Sequence, residues 1–272
     1  PEFRLYAETA SARFVAVPPR ADMSLDLEGI AAALSHATGA VLINSPNNPS
    51  GHVLQRDELT ALIALLHEHN ARTGSRVLLI VDEVYRRLIY PPHRYVSPLD
   101  FYEHTVLARS FSKDLGIAGE RIGYLVMHSS LASDEARRGL ELSMRGLGFV
   151  NAPATAQRAL MHLAGWTVDI SLYRSRRDLI ASLARDAGLD FADPQGGLYL
   201  WVRSPWEDTL ALVDRLASRR VLVIPGVAFG MPTHLRLCFS YPEAKLAMAI
   251  GALAALREPV PAAAIPETQP LQ

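Results

Sequence analysis

Residues 77–85 of the chain read VLLIVDEVY. Five consecutive apolar residues followed directly by two carboxylates are typical of a strand that is buried on both faces of a parallel sheet. Apolar runs of similar length occur at Phe14–Val17, Ala40–Ile43, Thr105–Ala108 and Ile122–Met127. Helical patterns lie between some of these runs, such as Leu59, Leu62 and Leu66 at helical spacing. The alternation predicts an α/β fold with parallel strand pairing and right-handed crossovers.

The pattern changes after about Leu131 and predicts a second, smaller domain of mixed helices and strands. Helices are expected at 131–146, 153–164, 168–187, 207–219 and 243–256. Strands are expected at Leu198–Val202, Val221–Ile224 and Leu235–Phe239. We therefore expect a large domain over 1–170, a smaller α+β domain over 171–257, and a disordered, proline-rich tail over 258–272.

The composition restricts the classes of partner. The 272 residues carry 27 Lys and Arg against 28 Asp and Glu, and this net charge of −1 gives no electrostatic reason to bind nucleic acid or an anionic membrane. The apolar runs are too short to span a bilayer. The sequence holds one cysteine, Cys238, so a reducing, cytoplasmic location is expected. The nine histidines have no metal-ligand spacing, and no metal is expected.

Polar clusters follow the predicted strands, at the positions where open α/β sheets bind ligands. NSPNNPSG at 44–51 follows the strand at Ala40–Ile43, and taken alone its simplest interpretation is an Asx turn. DEVY at 82–85 follows the strand at 77–81. A carboxylate at the end of an apolar strand is costly unless it meets a cation, so Asp82 is expected to pair with the protein or with a ligand.

A third cluster is the most specific. SFSK at 110–113 is followed by Gly116, Gly119 and Arg121, between two predicted strands. Hydroxyls, a lysine and an arginine around glycines suit an anionic group held close to the backbone. Lys113 in apolar surroundings can act as an amine nucleophile. A single lysine is more often a solvated surface charge, but three clusters in order at strand ends argue against that interpretation.

Five motifs occur in a fixed order: NNPSG at 47–51, DEVY at 82–85, SFSK at 110–113, PQGGLY at 194–199 and HLRL at 234–237. Together they resemble the class I and II, fold-type I aminotransferases of the aspartate aminotransferase-like superfamily, which depend on pyridoxal 5′-phosphate (PLP). The resemblance runs from Pro1 to about Leu256. It implies a three-layer α/β/α large domain with a mostly parallel sheet, plus a smaller α+β C-terminal domain.

The resemblance implies a role at the cofactor for each matching residue. Lys113 would bind the PLP aldehyde as a Schiff base and later carry the proton of the substrate α-carbon. Asp82 would pair with the pyridine nitrogen and keep it protonated. Asn48 and Tyr85 would hydrogen-bond the ring 3-oxygen. The implied catalytic residues are therefore Lys113, Asp82 and Tyr85.

The resemblance also assigns residues to the phosphate, the substrate and the ring face. Ser110 and Arg121 would hold the phosphate. Arg236 would bind the substrate α-carboxylate, with Asn48 beside it. Phe3 falls where the family places an aromatic side chain stacked on the cofactor ring, although a packed core aromatic explains it equally well.

The N-terminal part departs from the family pattern. Relatives carry a phosphate-binding loop, a helix and an N-terminal arm before the aromatic that matches Phe3, and these have no counterpart in the sequence. By resemblance we expect roughly a hundred further residues upstream, so that 1–272 is a fragment. The family topology also predicts that Phe14–Val17 lies at the sheet edge, paired with a strand that would precede Pro1.

The resemblance predicts an aminotransferase that moves an amino group between an amino acid and a 2-oxo acid, and a homodimer. The same residues also serve PLP-dependent lyases, decarboxylases and racemases, because which substrate bond breaks depends on contacts outside this set. An aminotransferase-like effector domain of a transcription regulator is a further alternative. A domain that binds some other phosphorylated ligand is disfavoured, since phosphate binding does not require a lysine that can form a Schiff base.

Overall fold

The computed structural model describes residues 2–163 and 165–256, so the predicted tail at 258–272 lies outside the described residues. Four strands form a first sheet in this spatial order: β1 (Ala40–Asn44), β2 (Leu78–Asp82), β3 (Thr105–Ser110) and β4 (Gly123–Met127). β1 pairs with β2, and β2 with β3, in parallel. The predicted α/β class is confirmed, because the apolar runs form the strands and pair mainly in parallel.

β4 departs from the predicted pairing, because it runs antiparallel to β3. Residues 111–122 link the two strands and contain the short helix α4 (Phe111–Asp114) and a 3₁₀ turn at Ala118–Glu120. A parallel return to the same edge usually needs a helix that crosses the sheet. α4 has only four residues, about one turn, and is too short for such a crossover. The chain therefore turns back and pairs in the opposite direction.

The first sheet is supported mainly by one helix. The helices of this part of the chain are α1 (Glu2–Thr9), α2 (Leu27–Ala33), α3 (Arg56–Thr73), α5 (Asp134–Gly146) and α6 (Ala154–Leu160). Leu59, Leu62 and Leu66 lie on one face of α3 and are fully buried in the core that contains the strand residues Leu79 and Leu107. Each buried leucine contributes about 1.5–3 kcal/mol, so this face of α3 holds the sheet.

The strand predicted at Phe14–Val17 is wrong, because this segment is irregular in the structure. Val15 is exposed, and only Phe14 and Val17 are half-buried. Arg4 lies over the Phe14 ring at 5.3 Å, and Val17 packs against the core of the first sheet. No strand of the described residues pairs with the backbone here, and without a ladder an apolar run of four residues does not become a strand.

A second sheet follows the helix α7 (Ile170–Asp186). Its strands are β5 (Phe191–Ala192), β6 (Tyr199–Arg203), β7 (Ile224–Pro225) and β8 (His234–Cys238), in the spatial order β5-β6-β8-β7 and antiparallel throughout. Two further helices, α8 (Thr209–Ser218) and α9 (Glu243–Ala254), pack with α7 around a separate apolar core. Among the described residues, no helix is long and apolar enough to cross a membrane.

The strand predicted at Val221–Ile224 is mostly wrong. Its first residues complete the end of α8, since the Val221 amide donates to the Leu216 carbonyl at 3.0 Å. Arg220 takes a left-handed conformation with φ 62°, which ends the helix. Only Ile224 enters the sheet, in a two-residue strand with Pro225.

Candidate active site

The polar cluster at 44–51 lies at the carboxyl edge of the first sheet. Asn44 and Asp82 end β1 and β2 side by side, and the Asn44 amide donates to the Asp82 carbonyl at 2.9 Å. The Asn44 side-chain oxygen accepts from the Asn48 backbone amide at 2.7 Å, while Asn47 accepts from both the amide and the hydroxyl of Ser50. The loop is therefore an Asx-type turn, as its simplest interpretation predicted. This turn fixes the backbone that carries the Asn48 side chain.

The two sheets meet where this loop contacts the PQGG turn that precedes β6. The Gly51 carbonyl accepts from the amides of Gln195 and Gly196 at 3.0 and 2.9 Å. Gly51 has φ 74°, and a Cβ there would lie 2.9 Å from Pro194 Cα. Only glycine tolerates both this conformation and this approach. The contact aligns the end of the first sheet with the second sheet.

Arg236 on β8 is held by this alignment. Its Nη1 donates to the Asn48 side-chain oxygen at 2.9 Å, although the two residues are 188 positions apart. The guanidinium lies 4.1 Å from the centre of the Tyr199 ring and 4.9 Å from that of Phe229. Two aromatic rings within cation–π distance and one hydrogen bond hold the guanidinium in place, and its remaining N–H groups suit a carboxylate.

Asp82 has no ion-pair partner among the described residues. Burial raises the pKa of this carboxyl above its usual range, the hydrogen bond from the Val84 amide at 3.2 Å lowers it, and the charge of Glu83 raises it further. The expected pairing of Asp82 with a cation of the protein is therefore not found in this part of the chain. A carboxylate that is removed from water without a cation is suited to a positively charged ligand.

Glu83, the next residue, takes the cation instead. Its carboxylate is 1% exposed and accepts from Arg109 Nε at 2.8 Å and from the Tyr95 hydroxyl at 2.6 Å. Arg109 also donates to the Tyr95 hydroxyl at 3.0 Å. Burial and the hydrogen bond to Glu83 raise the pKa of Tyr95 to about 12. Our sequence analysis did not single out this group, although a buried strand that ends in two adjacent carboxylates needs at least one cation nearby.

Tyr85 lies between Asp82 and Arg236. Its hydroxyl donates to the Tyr199 hydroxyl at 3.2 Å, and the two rings meet edge to face at 5.9 Å. Burial, followed by the neighbouring Tyr199, raises the pKa of Tyr85, while the charge of Arg236 lowers it. Tyr85 is therefore a neutral hydrogen-bond donor at neutral pH. Sequence analysis missed the role of Tyr199, which appeared only as the last letter of the PQGGLY motif.

Lys113 and Ser110 lie where β3 passes into α4. The Ser110 hydroxyl caps α4, since it accepts from the Ser112 amide at 3.1 Å and donates to the Ser112 hydroxyl at 2.9 Å. Lys113 is half-buried, and the described residues offer it no hydrogen bond or ion pair. A lysine in that position differs from a solvated surface charge, and its amine is available to react.

The structure leaves Arg121 and Phe3 apart from this network. Arg121 is exposed, takes a left-handed conformation with φ 48°, and donates to the Ala118 carbonyl at 3.2 Å. Phe3 is half-buried on α1. Within residues 2–163 and 165–256, no hydrogen bond, ion pair or ring contact joins Phe3 to Asp82 or Lys113. The structure therefore links Asn48, Arg236 and Tyr85 through Tyr199 and places Tyr85 near Asp82. The roles predicted for these residues stay predictions, as do those of Lys113, Ser110, Arg121 and Phe3.

Comparison with known proteins identifies the family. Residues 1–253 match the family model described as aminotransferase class I and II. The chain belongs to the class I and II aminotransferases. This aminotransferase chain is 30% identical over 231 residues to a probable aspartate aminotransferase of Methanocaldococcus jannaschii, a match that covers 81% of this chain and 58% of the relative.

Two further comparisons agree with this family. A histidinol-phosphate aminotransferase of Symbiobacterium thermophilum is 30% identical over 241 residues, which cover 89% of this chain and 63% of the relative. The crystal structure of an amino transferase from Eubacterium rectale superimposes with a TM-score of 0.88 at 28% identity, over 94% of this chain and 65% of that one. The aminotransferase chain thus spans 58% and 63% of the length of these two curated relatives.

The family depends on PLP, and the residues of this site fit that cofactor. Asp82, a half-buried carboxylate without a cation among the described residues, suits a protonated pyridine nitrogen. The Lys113 amine suits the aldehyde. The hydroxyl of Ser110 and the guanidinium of Arg121 are donors that suit a phosphate. The resemblance inferred from the motifs and the cofactor that it implied are confirmed at the level of the family.

Proposed function

We propose that this chain binds PLP through Lys113 and that the full-length protein transfers an amino group between an amino acid and a 2-oxo acid. The observation that carries the proposal is the half-buried Asp82 carboxylate, which has no cation within the described residues of a chain that belongs to this family. A protonated ring nitrogen supplies the missing positive charge. The bound cofactor provides an electron-withdrawing ring that stabilises negative charge at the substrate α-carbon.

The residues of the chain act on this chemistry at defined atoms. Asp82 holds a proton at the ring nitrogen, because its own charge is stabilised only when that proton is present. Lys113 Nζ would hold the cofactor aldehyde and, as a free amine, would be the base that carries the proton of the substrate α-carbon. Tyr85 would stay protonated, and its hydroxyl, which donates to Tyr199 in this structure, would donate to the ring oxygen together with Asn48 and accept from Tyr199 instead. Each of these groups has a fixed backbone position at a strand end.

The substrate carboxylate is bound by Arg236. The guanidinium lies close to the rings of Tyr199 and Phe229, and a carboxylate can accept two parallel hydrogen bonds from such a group. Two-point binding fixes the rotation of the α-carbon and hence the bond that breaks. Ser110 and Arg121 are proposed to hold the phosphate, and Phe3 to stack on the ring.

The organisation of the full-length protein is also proposed. Separate apolar cores, one around α3 and one around α7 and α9, support a large domain over 1–170 and a small domain over 171–257. Exposed apolar side chains at Leu147 and Phe149 support a homodimer. The free thiol of Cys238 supports a cytoplasmic location.

Reconstitution with PLP tests the function directly. The full-length protein is incubated with PLP, reduced with borohydride and digested, and we expect one phosphopyridoxyl group on Lys113 by mass spectrometry. Excess amino acid added before reduction should release a 2-oxo acid and pyridoxamine 5′-phosphate in equal amounts. Labelling of another lysine would refute the site, and release of ammonia without pyridoxamine 5′-phosphate would refute amino transfer in favour of a lyase.

A further inference from the structure

Two buried carboxylates stand directly beside the proposed reactive residues. Glu83 follows Asp82, and Asp114 follows Lys113. They are 1% and 5% exposed. Neither is placed to touch the cofactor in the proposed function, and the mechanism does not use them. Buried carboxylates are costly unless cations compensate them, so the source of those cations is informative.

The cations come from the opposite segment in each case. Glu83, next to Asp82, pairs with an arginine on the strand that leads to Lys113, and Asp114, next to Lys113, pairs with arginines that follow Tyr85. Glu83, at the turn after β2, binds Arg109 on β3 at 2.8 Å, and β3 leads directly into the Lys113 helix. Asp114, on that helix, lies 3.4 Å from Arg87 Nε and 3.9 Å from Arg86 Nη2. Both arginines follow Tyr85 in the chain. The ion pairs therefore cross between the Asp82–Tyr85 turn and α4.

The Asp114 pair is an electrostatic contact more than a hydrogen-bonded one. Asp114 Oδ1 has no hydrogen-bond partner among the described residues. Burial raises the pKa of Asp114, and the charges of Arg86 and Arg87 oppose that rise. An arrangement of this kind adds little to stability compared with an apolar core, but it does specify which segments lie together.

We propose that Glu83 and Asp114 are positioning residues, whose crossed ion pairs set the distance between Lys113 and Asp82. This inference rests on the proposed function, in which the two residues contact opposite ends of one rigid ring. Because the ring is rigid, it cannot adjust its length if Lys113 or Asp82 is displaced. The separation of α4 from the Asp82–Tyr85 turn must therefore be fixed by the protein. One pair joins this turn to β3, the strand that leads into α4, and the other joins α4 to the two arginines that follow the turn.

The test measures attachment of PLP to Lys113 in the full-length protein, independently of turnover. Glu83→Gln and Asp114→Asn keep the side-chain shape and remove the charge. We expect each variant to reduce the equilibrium constant for attachment about tenfold. This is less than the roughly hundredfold loss of rate that a displacement of about 1 Å can cause at a reacting centre, because one of the two ion pairs remains. The bound fraction is read from the absorbance of the attached cofactor and from borohydride-fixed mass on Lys113.

Glu58→Gln is the matched control. Glu58 is a half-buried carboxylate in an ion pair with His52 at 2.8 Å, but it lies on α3 and away from the Asp82–Tyr85 turn and α4. We expect this variant to lower the unfolding midpoint and to leave attachment unchanged. A double variant of Glu83 and Asp114 should fall short of the product of the two single effects, because both pairs set one distance.

Arg87→Gln provides a milder variant if the buried substitutions prevent folding, because Arg87 is about one-third exposed (31%). We expect a loss of attachment in the same direction, and recovery in Arg87→Lys, which restores the charge. Attachment equal to the wild type in folded Glu83→Gln, Asp114→Asn and Arg87→Gln would overturn the positioning role. A wild-type protein that does not attach PLP at Lys113 would instead overturn the proposed function and this inference with it.

Discussion

The two halves of the site differ in how the protein holds them. Arg236 has a hydrogen bond to Asn48 and two aromatic rings close by, so it is oriented before any ligand arrives. Asp82 and Lys113 have no ionic partner among the described residues. A preorganised group binds without a further ordering cost, whereas an unpaired group that is partly removed from water is destabilising until a ligand pairs with it. In the proposed function, the fold thus builds the substrate side of the site, and PLP would complete the cofactor side.

The largest effect on the transamination rate is expected from removing the charge of Asp82, on the cofactor side of the site. In the full-length protein, Asp82→Asn should lower the transamination rate by roughly 10²–10³-fold, because a preorganised charge next to the reacting system is lost. Steady-state kinetics with saturating PLP measures this. Asp26→Asn is the control. It preserves the N-terminal cap of α2, which lies away from the site, and should leave the rate unchanged. A rate in Asp82→Asn within a few fold of the wild-type rate would contradict the view that the Asp82 charge is needed on the cofactor side.

A smaller effect is expected on the preorganised side. Arg236→Lys keeps the charge and loses the planar fork, so KM for the amino acid should rise about ten- to a hundredfold, as charged hydrogen bonds contribute about 1.5–3 kcal/mol. PLP attachment should stay at the wild-type level. Weaker attachment with unchanged KM would place Arg236 on the cofactor side and reverse the comparison.

A still smaller effect is expected where the two sides meet, at the hydroxyl pair of Tyr85 and Tyr199. Tyr199→Phe removes one hydrogen bond of about 1 kcal/mol, so kcat/KM should fall about fivefold. Tyr102→Phe is a matched control, since the Tyr102 hydroxyl donates a hydrogen bond to the Val77 carbonyl in the core of the first sheet. It should lower stability and leave kcat/KM unchanged. The same loss of kcat/KM in both variants would show that the Tyr199 effect is not specific to the site.

The smallest effect is expected on the stability of the protein without cofactor. Burial raises the pKa of Asp82 above its unfolded value, so the folded state keeps a proton that the unfolded state has already lost. This contribution to the free energy of unfolding is fully present below the unfolded pKa and is lost as the pH rises through the folded one. Urea unfolding from about pH 4 to pH 8 should therefore show a steeper decline in the wild type than in Asp82→Asn. Parallel curves would contradict the raised pKa.

Sequence reasoning placed the candidate site residues at strand ends better than it identified their partners. The strands that end at Asn44, Asp82 and Ser110 were predictable, because continuous apolar runs form buried strands and polar clusters mark their ends. The direction of β4 follows from the shortness of α4, which no hydropathy pattern measures. The strand predicted at Phe14–Val17 failed because a strand depends on a neighbouring ladder.

Contacts between residues far apart in the sequence could not be predicted either, because they also depend on neighbouring elements and not on the local pattern. The contact between Asn48 and Arg236 depends on the meeting of two sheets, and neither local pattern contains that information. The presence of a buried cation could be anticipated from the adjacent carboxylates, but its partner could not. Arg109 reaches Glu83 and not Asp82, and this choice decides which carboxylate remains available to a ligand.

The shared acceptor at Gly51 makes the junction of the two sheets observable in solution. The amides of Gln195 and Gly196 both depend on this one carbonyl oxygen for protection from solvent deuterium. Any motion that separates the sheets exposes both amides in the same event, whereas fraying of either sheet alone leaves them protected. The two amides should therefore show the same protection factor once each observed rate is divided by its intrinsic exchange rate, and that factor reports how far the junction opens.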